Sequence, residues 1–439
     1  MTNESSVRLK FTAREPLQYG ANAAAEFDDP DWPRFVRITD IDRNGQLRSE
    51  TFRSLPPDVA QPYLLEDGDI LLARSGATVG KSFYYRKEWG EACYAGYLIR
   101  LRVGQSYYPR YVYWCLQGKQ YWSYIESNLI QATIQNVSAE RFSNFLLPNI
   151  KIAMQRIIAD FLDRETARIN QLIEKKQRLI ELLEVKYETL RDTVVCKGLS
   201  TKAAYKESGV DWFGLVPDHW TVCRFNRLIS SKVDYRGRTP EKVDDGIFLV
   251  TARNIRPGKI DYERSQEFTT EEDWEKLSAR GKPEIGDVLF TTEAPLGNIA
   301  QVDRTDVALA QRIMKFRANP ALVSNDFLAE FMMSASFQRS LNLYASGSTA
   351  SGIKSERMAH LFGLVPPRSE QAEIVRVVRA EGKRLEAVVE PIQRSIDRSR
   401  EFRSALITAA VTGQIDVTSW GREGQTDRRL EQIAEAMTA

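Results

Sequence analysis

Residues 155–195 read QRIIADFLDRETARINQLIEKKQRLIELLEVKYETLRDTVV. Between Met154 and Val195 there is no Pro or Gly, and Leu162, Thr166, Ile169, Ile173, Lys176, Ile180, Leu183, Tyr187, Leu190 and Val194 follow one another in alternating four- and three-residue steps. Eight of those ten positions are apolar. Such spacing draws a narrow apolar seam along a helix, and a seam this long and narrow is a surface for another helix. The stretch predicts a coiled-coil helix of about 40 residues, roughly 60 Å long at its usual rise.

The stretch then returns. Gln155 recurs as Gln371, Ile158 as Ile374, Arg168 as Arg384, Glu174 as Glu390, and Gln177, Arg178 and Ile180 as Gln393, Arg394 and Ile396. Glu140 and Arg141 recur as Glu356 and Arg357, and Leu190 and Val195 as Leu406 and Val411, so eleven identities share one offset of 216 residues. A single repeat of that length means two similar domains, not a solenoid, whose periods run to about 50 residues. The second seam is Val378, Gly382, Leu385, Val389, Ile392, Ile396, Ser399, Arg403, Leu406 and Ala410, with seven of ten apolar. Gly382 and Pro391 are expected to soften or kink it, because Pro removes an intrahelical hydrogen bond.

Connectivity suggests how the helices pair. The first carries the chain away from the first globular segment, and the link from Gly198 to Trp212 is short, so the second helix must run back along the first. The expectation is an α+β chain: two similar α/β globular domains, separated by two long helices in an antiparallel coiled coil, with a pseudo-two-fold internal repeat. In numbers, the domains are 1–150, a helix over 151–197, a linker and second domain over 198–366, a second helix over 367–413, and a tail over 414–439. Gly413 is expected to end the second helix, and Arg428 to Met437 to form a short amphipathic helix.

Composition fits this division. A chain of 439 residues exceeds what one core sustains, and 43% hydrophobic residues supply globular cores. No run approaches the roughly 18 apolar residues of a membrane span, and Met1 to Ser6 has no signal-peptide core, which points to the cytoplasm. Cys93, Cys115, Cys196 and Cys223 are scattered without a CxxC pair and only His219 and His360 accompany them, which argues against zinc or a disulfide framework. The 61 basic and 59 acidic residues leave a net charge of +2. If DNA is the ligand, partner subunits supply much of the phosphate contact.

The globular segments, about 6–150 and 211–366, contain short runs of Val, Ile, Phe and Tyr punctuated by Gly, Asp and Pro, as strands do. They share landmarks in the same order. Phe35 to Ile41 (FVRITDI) matches Leu249 to Ile255 (LVTARNI), and Asp67 to Leu71 (DGDIL) matches Ile285 to Leu289 (IGDVL). Tyr111 to Leu116 (YVYWCL) has the apolar spacing of Phe327 to Met332 (FLAEFM), and both precede the Glu-Arg pair. Common order with divergent loops implies one scaffold carrying two specificities.

Gly76 to Ser82 (GATVGKS) resembles a phosphate loop but has three residues between its glycines where four are needed. Its counterpart Glu293 to Ala300 (EAPLGNIA) lacks the Lys, so both read as tight turns between strands. Arg74, Ser75, Thr78 and Lys81 around the first turn, and Thr292 beside the second, remain candidates for facing a ligand. No NPPY-like or DPPY-like tetrapeptide for adenine methylation occurs, and the His and Cys set of a base deaminase is missing. Acidic residues do not cluster as in a nuclease. His219 in Val216 to Trp220 (VPDHW) reads as structural. No catalytic or metal-binding residue is assigned, and the chain reads as a binder.

Candidate DNA-contacting loops fall at matching points of the halves. Lys232 to Lys242 (KVDYRGRTPEK) offers Tyr235, Arg236, Arg238, Thr239 and Lys242, and Leu17 to Ala25 (LQYGANAAA) offers Tyr19 and Asn22. Before the Glu-Arg pairs lie Gln131 to Ser138 (QATIQNVS), with Gln131, Thr133 and Gln135, and Gly347 to Lys354 (GSTASGIK), with Ser348, Thr349 and Ser351. Arg and Lys suit phosphates and guanine, Gln and Asn suit adenine, and Ser and Thr are less selective. An ordinary solvated turn is the competing reading for each.

Together these landmarks resemble the specificity subunits of Type I restriction-modification systems. The resemblance spans PRFVRITDI, GDILLARSGATVGK, QNVSAERFSNFLLP, VDWFGLVPDHW, VDYRGRTPEKVDDGIFLVTARNI and SALITAAVTGQIDV, almost the whole chain in order. It implies a non-catalytic subunit that reads a bipartite double-stranded DNA target and docks two adenine-methylating subunits and, in the full assembly, two restriction and translocation subunits. S-adenosylmethionine, ATP and magnesium would belong to those partners. The weaker second helix is the chief departure from the pattern. An adaptor in another phage-defence complex is the alternative, and an autonomous nuclease a third.

Overall fold

The computed structural model describes residues 6–42, 45–130, 136–200, 202–236, 239–345 and 352–420. They form two compact units that do not follow chain order: Met1–Arg178 with Ile392–Ala439, and Leu179–Pro391. The two long helices, Ile152–Lys197 and Arg368–Val411, each contribute to both units.

In the first unit a four-stranded antiparallel sheet has the order Gln18–Tyr19, Leu98–Leu101, Ile70–Ala73, Ser82–Tyr84. The second unit repeats that order with Ile229–Asp234, Ile313–Ala318, Val288–Thr291 and Ile299–Gln301. Each unit adds a parallel pair, Arg34–Val36 with Ala92–Tyr94 and Ile247–Val250 with Val307–Leu309. Each is closed by its segment's ends, Ser6–Arg8 on Leu146–Pro148 and Thr221–Arg224 on Phe362–Val365. Two helices follow the sheet in both, Pro109–Cys115 and Lys119–Ile130, then Asn325–Met332 and Ala335–Tyr344. Between two of its strands the second unit has the helix Glu271–Ser278, where the first has the shorter Pro57–Ala60.

Shared sequence landmarks make shared bonds. In the FVRITDI and LVTARNI segments, buried Asp40 accepts from the Arg37 N–H (2.7 Å) and buried Asn254 from the Thr251 N–H (2.9 Å). In DGDIL and IGDVL, Gly68 and Gly286 turn at φ 87° and 86°, a conformation that favours Gly, and present a buried carboxylate. Asp69 receives Arg102 through Nε (2.9 Å) and a terminal nitrogen (2.7 Å), and Asp287 receives Arg317 in the same way (2.7 and 2.9 Å). Gln155 accepts from the Tyr108 N–H (2.7 Å) and donates to Ile150 O (2.8 Å), while Gln371 accepts from the Ser324 N–H (3.0 Å) and donates to Pro366 O (2.8 Å). Arg141 donates to Asn128 O (2.9 Å) and Arg357 to Tyr344 O (3.0 Å). All the partners named for these last two pairs also sit 216 residues apart. A buried polar group needs its partner, so these residues resist change where exposed neighbours drift.

Every residue of both seams is buried or half-buried. Within each unit the helical segments run antiparallel. In the first, the Lys176 ammonium donates to Ser395 Oγ (2.6 Å), while Ile158 shares a core with Val411. In the second, Tyr187 bonds Val378 O (3.4 Å), while Val194 and Val195 share a core with Ile374 and Val375. Arg368–Val411 is one continuous helix, so neither Gly382 nor Pro391 ends it. Pro391 is exposed, and a Cβ on Gly382 would lie 2.8 Å from the Tyr187 hydroxyl. The glycine is the complement of a large side chain on the facing helix. Gly413, at φ 69°, follows the helix end as expected. The expected helix at Arg428 to Met437 lies outside the described residues.

The first turn of the second long helix is anchored by the VPDHW segment. His219 Nε2 and Trp220 Nε1 bond the two oxygens of Glu370 at 2.6 and 3.0 Å, the structural role read for His219.

Candidate nucleic-acid interface

In the first unit the Gly76–Lys81 stretch joins two antiparallel strands as a turn with Gly76 and Gly80 at φ 77° and 85°. A phosphate loop instead delivers its backbone to a helix N-terminus, so the tight-turn reading is the one the geometry matches. The Arg74 guanidinium lies 4.7 Å from the centre of the Tyr19 ring and donates to Asn136 Oδ1 (3.2 Å). The Tyr19 hydroxyl in turn accepts from the Ala139 N–H (3.1 Å), the Val137 N–H donates to Arg74 O (2.8 Å), and Ser75 bridges Asn136. These bonds fasten the end of the 131–138 loop to the sheet. Exposed Tyr19 and Tyr97 and half-buried Arg74 and Ser75 line the resulting face, and Asn22 is exposed. Thr78 and Lys81 line a cavity with Tyr113, Gln117 and Arg403 instead.

The second unit hooks its loop in the same way. Glu293 bridges Gly352, and the Ile353 N–H donates to Thr292 O (3.1 Å). Two expected contacts are corrected here. Thr292 is 1% exposed, its hydroxyl donates to Arg312 O (3.2 Å), and Gly352 and Ile353 lie against its backbone. Tyr235 is 1% exposed and donates to Gly281 O (2.7 Å), so its ring belongs to the core and burial pushes its phenol above the ordinary range. Arg236 is held by Asp234 through Nε (2.9 Å) and a terminal nitrogen (2.6 Å), and it also donates to Ile353 O (3.3 Å). That hydrogen-bonded pairing raises the guanidinium above its ordinary value.

Thr239 and Lys242 do come together, in a groove of about 390 Å³ that also holds Arg253, Glu267, Gln311 and Arg312. The Thr239 hydroxyl donates to Gln311 Oε1 (3.2 Å), Lys242 pairs with Glu267 (2.8 Å), and Arg253 contacts the same carboxylate. Arg312 sits at φ 76°, unusual for a side chain other than Gly, and pairs with Glu293 (3.0 Å). Gln131, Thr133, Gln135, Arg238, Ser348, Thr349 and Ser351 lie outside the described residues.

Residues 39–182 match the family model described as the Type I restriction modification DNA specificity domain. The chain is 22% identical to the Type I restriction enzyme EcoBI specificity subunit of Escherichia coli, over 96% of this chain and 88% of that one. It is 20% identical to the EcoKI specificity subunit of Escherichia coli strain K12, over 93% and 87%. Along nearly its whole length the chain is similar to Type I DNA specificity subunits. Its fold is similar to a chain solved in work on complex assembly and conformational transition of the type I R-M system, with a TM-score of 0.68 at 13% identity over 93% of this chain and 97% of that one.

Sequence reasoning missed several residues of the candidate interface: Tyr97 and Asn136 in the first unit, and Arg253, Gln311 and Arg312 in the second. A signal existed for the last two. Gln311 and Arg312 interrupt the apolar run between Val307–Leu309 and Ile313–Ala318, and a polar pair inside such a run marks a strand boundary open to solvent. Among the described residues no helix is long and apolar enough to cross a membrane, and no group of three or more His, Cys, Asp or Glu is placed to hold a metal ion.

Proposed function

We propose that the chain reads a bipartite DNA target, one half-site per recognition domain, and acts in the cytoplasm as the non-catalytic core of a complex with two adenine-N6 methyltransferase subunits and two restriction subunits. The observation that carries this reading is the hooked loop built twice on one sheet order with different side chains: Tyr19, Arg74, Ser75 and Asn136 in one unit, and Thr239, Lys242, Arg253, Gln311 and Arg312 in the other. Arg pairs with guanine and Asn or Gln with adenine in the major groove, so a shared scaffold with exchanged donors suits two different half-sites. Methyl transfer and cleavage, with their S-adenosylmethionine, ATP and magnesium, then fall to the partners. Leu179, Leu182 and Val185 support the docking of partners, being 45%, 50% and 59% exposed on one stretch of the first long helix. Solvated apolar rows of this kind are characteristic of interaction surfaces.

Mapping methylated adenines in cells expressing the complex with Arg253→Ala and Arg312→Ala tests the reading. One half of the recognised sequence should relax while the other half and the spacing stay unchanged. An unaltered map, or equal loss in both halves, would overturn it.

A further inference from the structure

Arg403 occupies a seam position on the second long helix, yet it lines a cavity of about 230 Å³ in the first unit together with Asp42, Thr78, Lys81, Ser82, Tyr113, Gln117 and Trp122. Its Nε is buried without a hydrogen-bond partner, and among the described residues no carboxylate pairs with it. Burial pulls the guanidinium below its ordinary value, and only Tyr113 opposes that pull. A buried charge normally carries a partner, because the desolvation it suffers is otherwise unrecovered. The repeat sharpens the anomaly. In the second unit the matching position is Tyr187, whose hydroxyl bonds Val378 O (3.4 Å) and accepts from Arg191 (2.8 Å). The fold itself therefore does not require a cation there.

The remaining lining supplies donors. Lys81 and Thr78 come from the GATVGKS turn, whose phosphate-loop spacing failed. Gln117 Nε2 donates to Ser82 Oγ (2.6 Å), which leaves the Ser82 hydroxyl proton to point elsewhere. Asp42, the acid of the lining, accepts from the Gln46 N–H (2.8 Å), and Arg403 and Lys81 together outweigh it. The volume is several times the ~30 Å³ share of one water in the liquid.

We propose that this cavity is an oxyanion site, with the Arg403 guanidinium as its main ligand and Lys81, Thr78 and Ser82 as further donors. A planar guanidinium fork suits a tetrahedral oxyanion bidentately. The occupant is either free phosphate or a phosphodiester of bound DNA, and the free-phosphate case stands whether or not the recognition loops read DNA.

The test uses the full chain, inorganic phosphate and matched ionic strength. Phosphate at about tenfold its dissociation constant should raise the wild-type melting temperature saturably, by roughly 2–5 °C. Arg403→Met should lose that rise, yet be no less stable than wild type without phosphate, since a half-buried guanidinium with an unpartnered Nε is gone. If DNA supplies the oxyanion, Arg403→Met also lowers the salt slope of DNA binding by about one, and phosphate competes with DNA. If free phosphate supplies it, the slope is unchanged and the melting response alone is lost. Identical phosphate responses and identical salt slopes in wild type and Arg403→Met would overturn the site. Should Arg403→Met fail to fold, Lys81→Met carries the same two comparisons, with a reduced response supporting the site and an unchanged one overturning it.

Discussion

At Asp287 a fully buried carboxylate meets the Arg317 guanidinium at 2.7 Å and the Lys315 ammonium, itself 3% exposed, at 3.0 Å. Burial alone would raise this carboxyl, but the hydrogen bonds from Arg317, the Glu284 N–H and Lys315 outweigh it and hold the group below its ordinary range. Removing one partner of such a cluster strands a buried charge. Asp287→Asn is expected to cost about 3–5 kcal/mol, read as a fall in the denaturation midpoint. Because the folded-state value is depressed, the wild-type contribution is fully present above the ordinary carboxylate value, about 3.9, and is lost as pH falls through the folded value below it. An acid titration of stability should therefore be steeper for wild type than for Asp287→Asn in that window. Asp287 was legible in the sequence as part of the IGDVL landmark, but Lys315 and Arg317 were not, since nothing local pairs residues about 30 positions apart. A second case ran beyond pattern reading altogether. Asp163 receives Arg110 (2.7 Å), whereas 216 residues on Arg379 reaches Asp326 (2.7 Å), so one ion pair is kept with its charges exchanged. A comparison of identities at a constant offset passes over it.

Gly382 and Tyr187 set how closely the long helices approach in the second unit. Gly382→Val would drive a side chain into the Tyr187 hydroxyl, whose oxygen lies 2.8 Å from the added Cβ. Overpacking of that kind costs about 1–3 kcal/mol, against a gain of a few tenths of a kcal/mol from removing a helix-interior glycine. A net drop in melting temperature is expected, and a rise would show that Tyr187 can swing clear at no cost. The helices were the most legible elements because their information is local: a seam repeating every three or four residues over a long stretch admits few other readings. What misled was residue type. Gly382 read as weakness, whereas it is fitted to its neighbour, and the helix continues through the exposed Pro391. The sheets were legible as strands but not as an order, since Gln18–Tyr19 and Leu98–Leu101 pair across about 80 residues and carry no pairing signal in so few positions. The same limit applied to the interface. Tyr235 and Thr292 looked suitable by chemistry, but exposure depends on which strands cover them, and both ended in the interior.

The first long helix is continuous through 46 residues and is the covalent connection between the two recognition domains. If it sets the spacing of the target, inserting four residues, about one turn, between Leu179 and Leu183 should lengthen the unread spacer while both half-sites are retained. The methylation map would show this directly, and unchanged spacing would rule the helix out as the ruler.

The chain order of the units has a consequence during synthesis. The second unit is one uninterrupted segment, Leu179–Pro391, and its parts are complete once Pro391 has left the ribosome. The first unit begins with residues made before any of the second, yet Leu406, Ile407, Ala410, Val411, Ile415 and Val417 belong to its core. The usual order, in which the N-terminal domain folds first as the chain emerges, is reversed. Of the two units, the one translated first waits longer for its core, and a chain truncated after Pro391 would be released with its second unit whole and its first unit open.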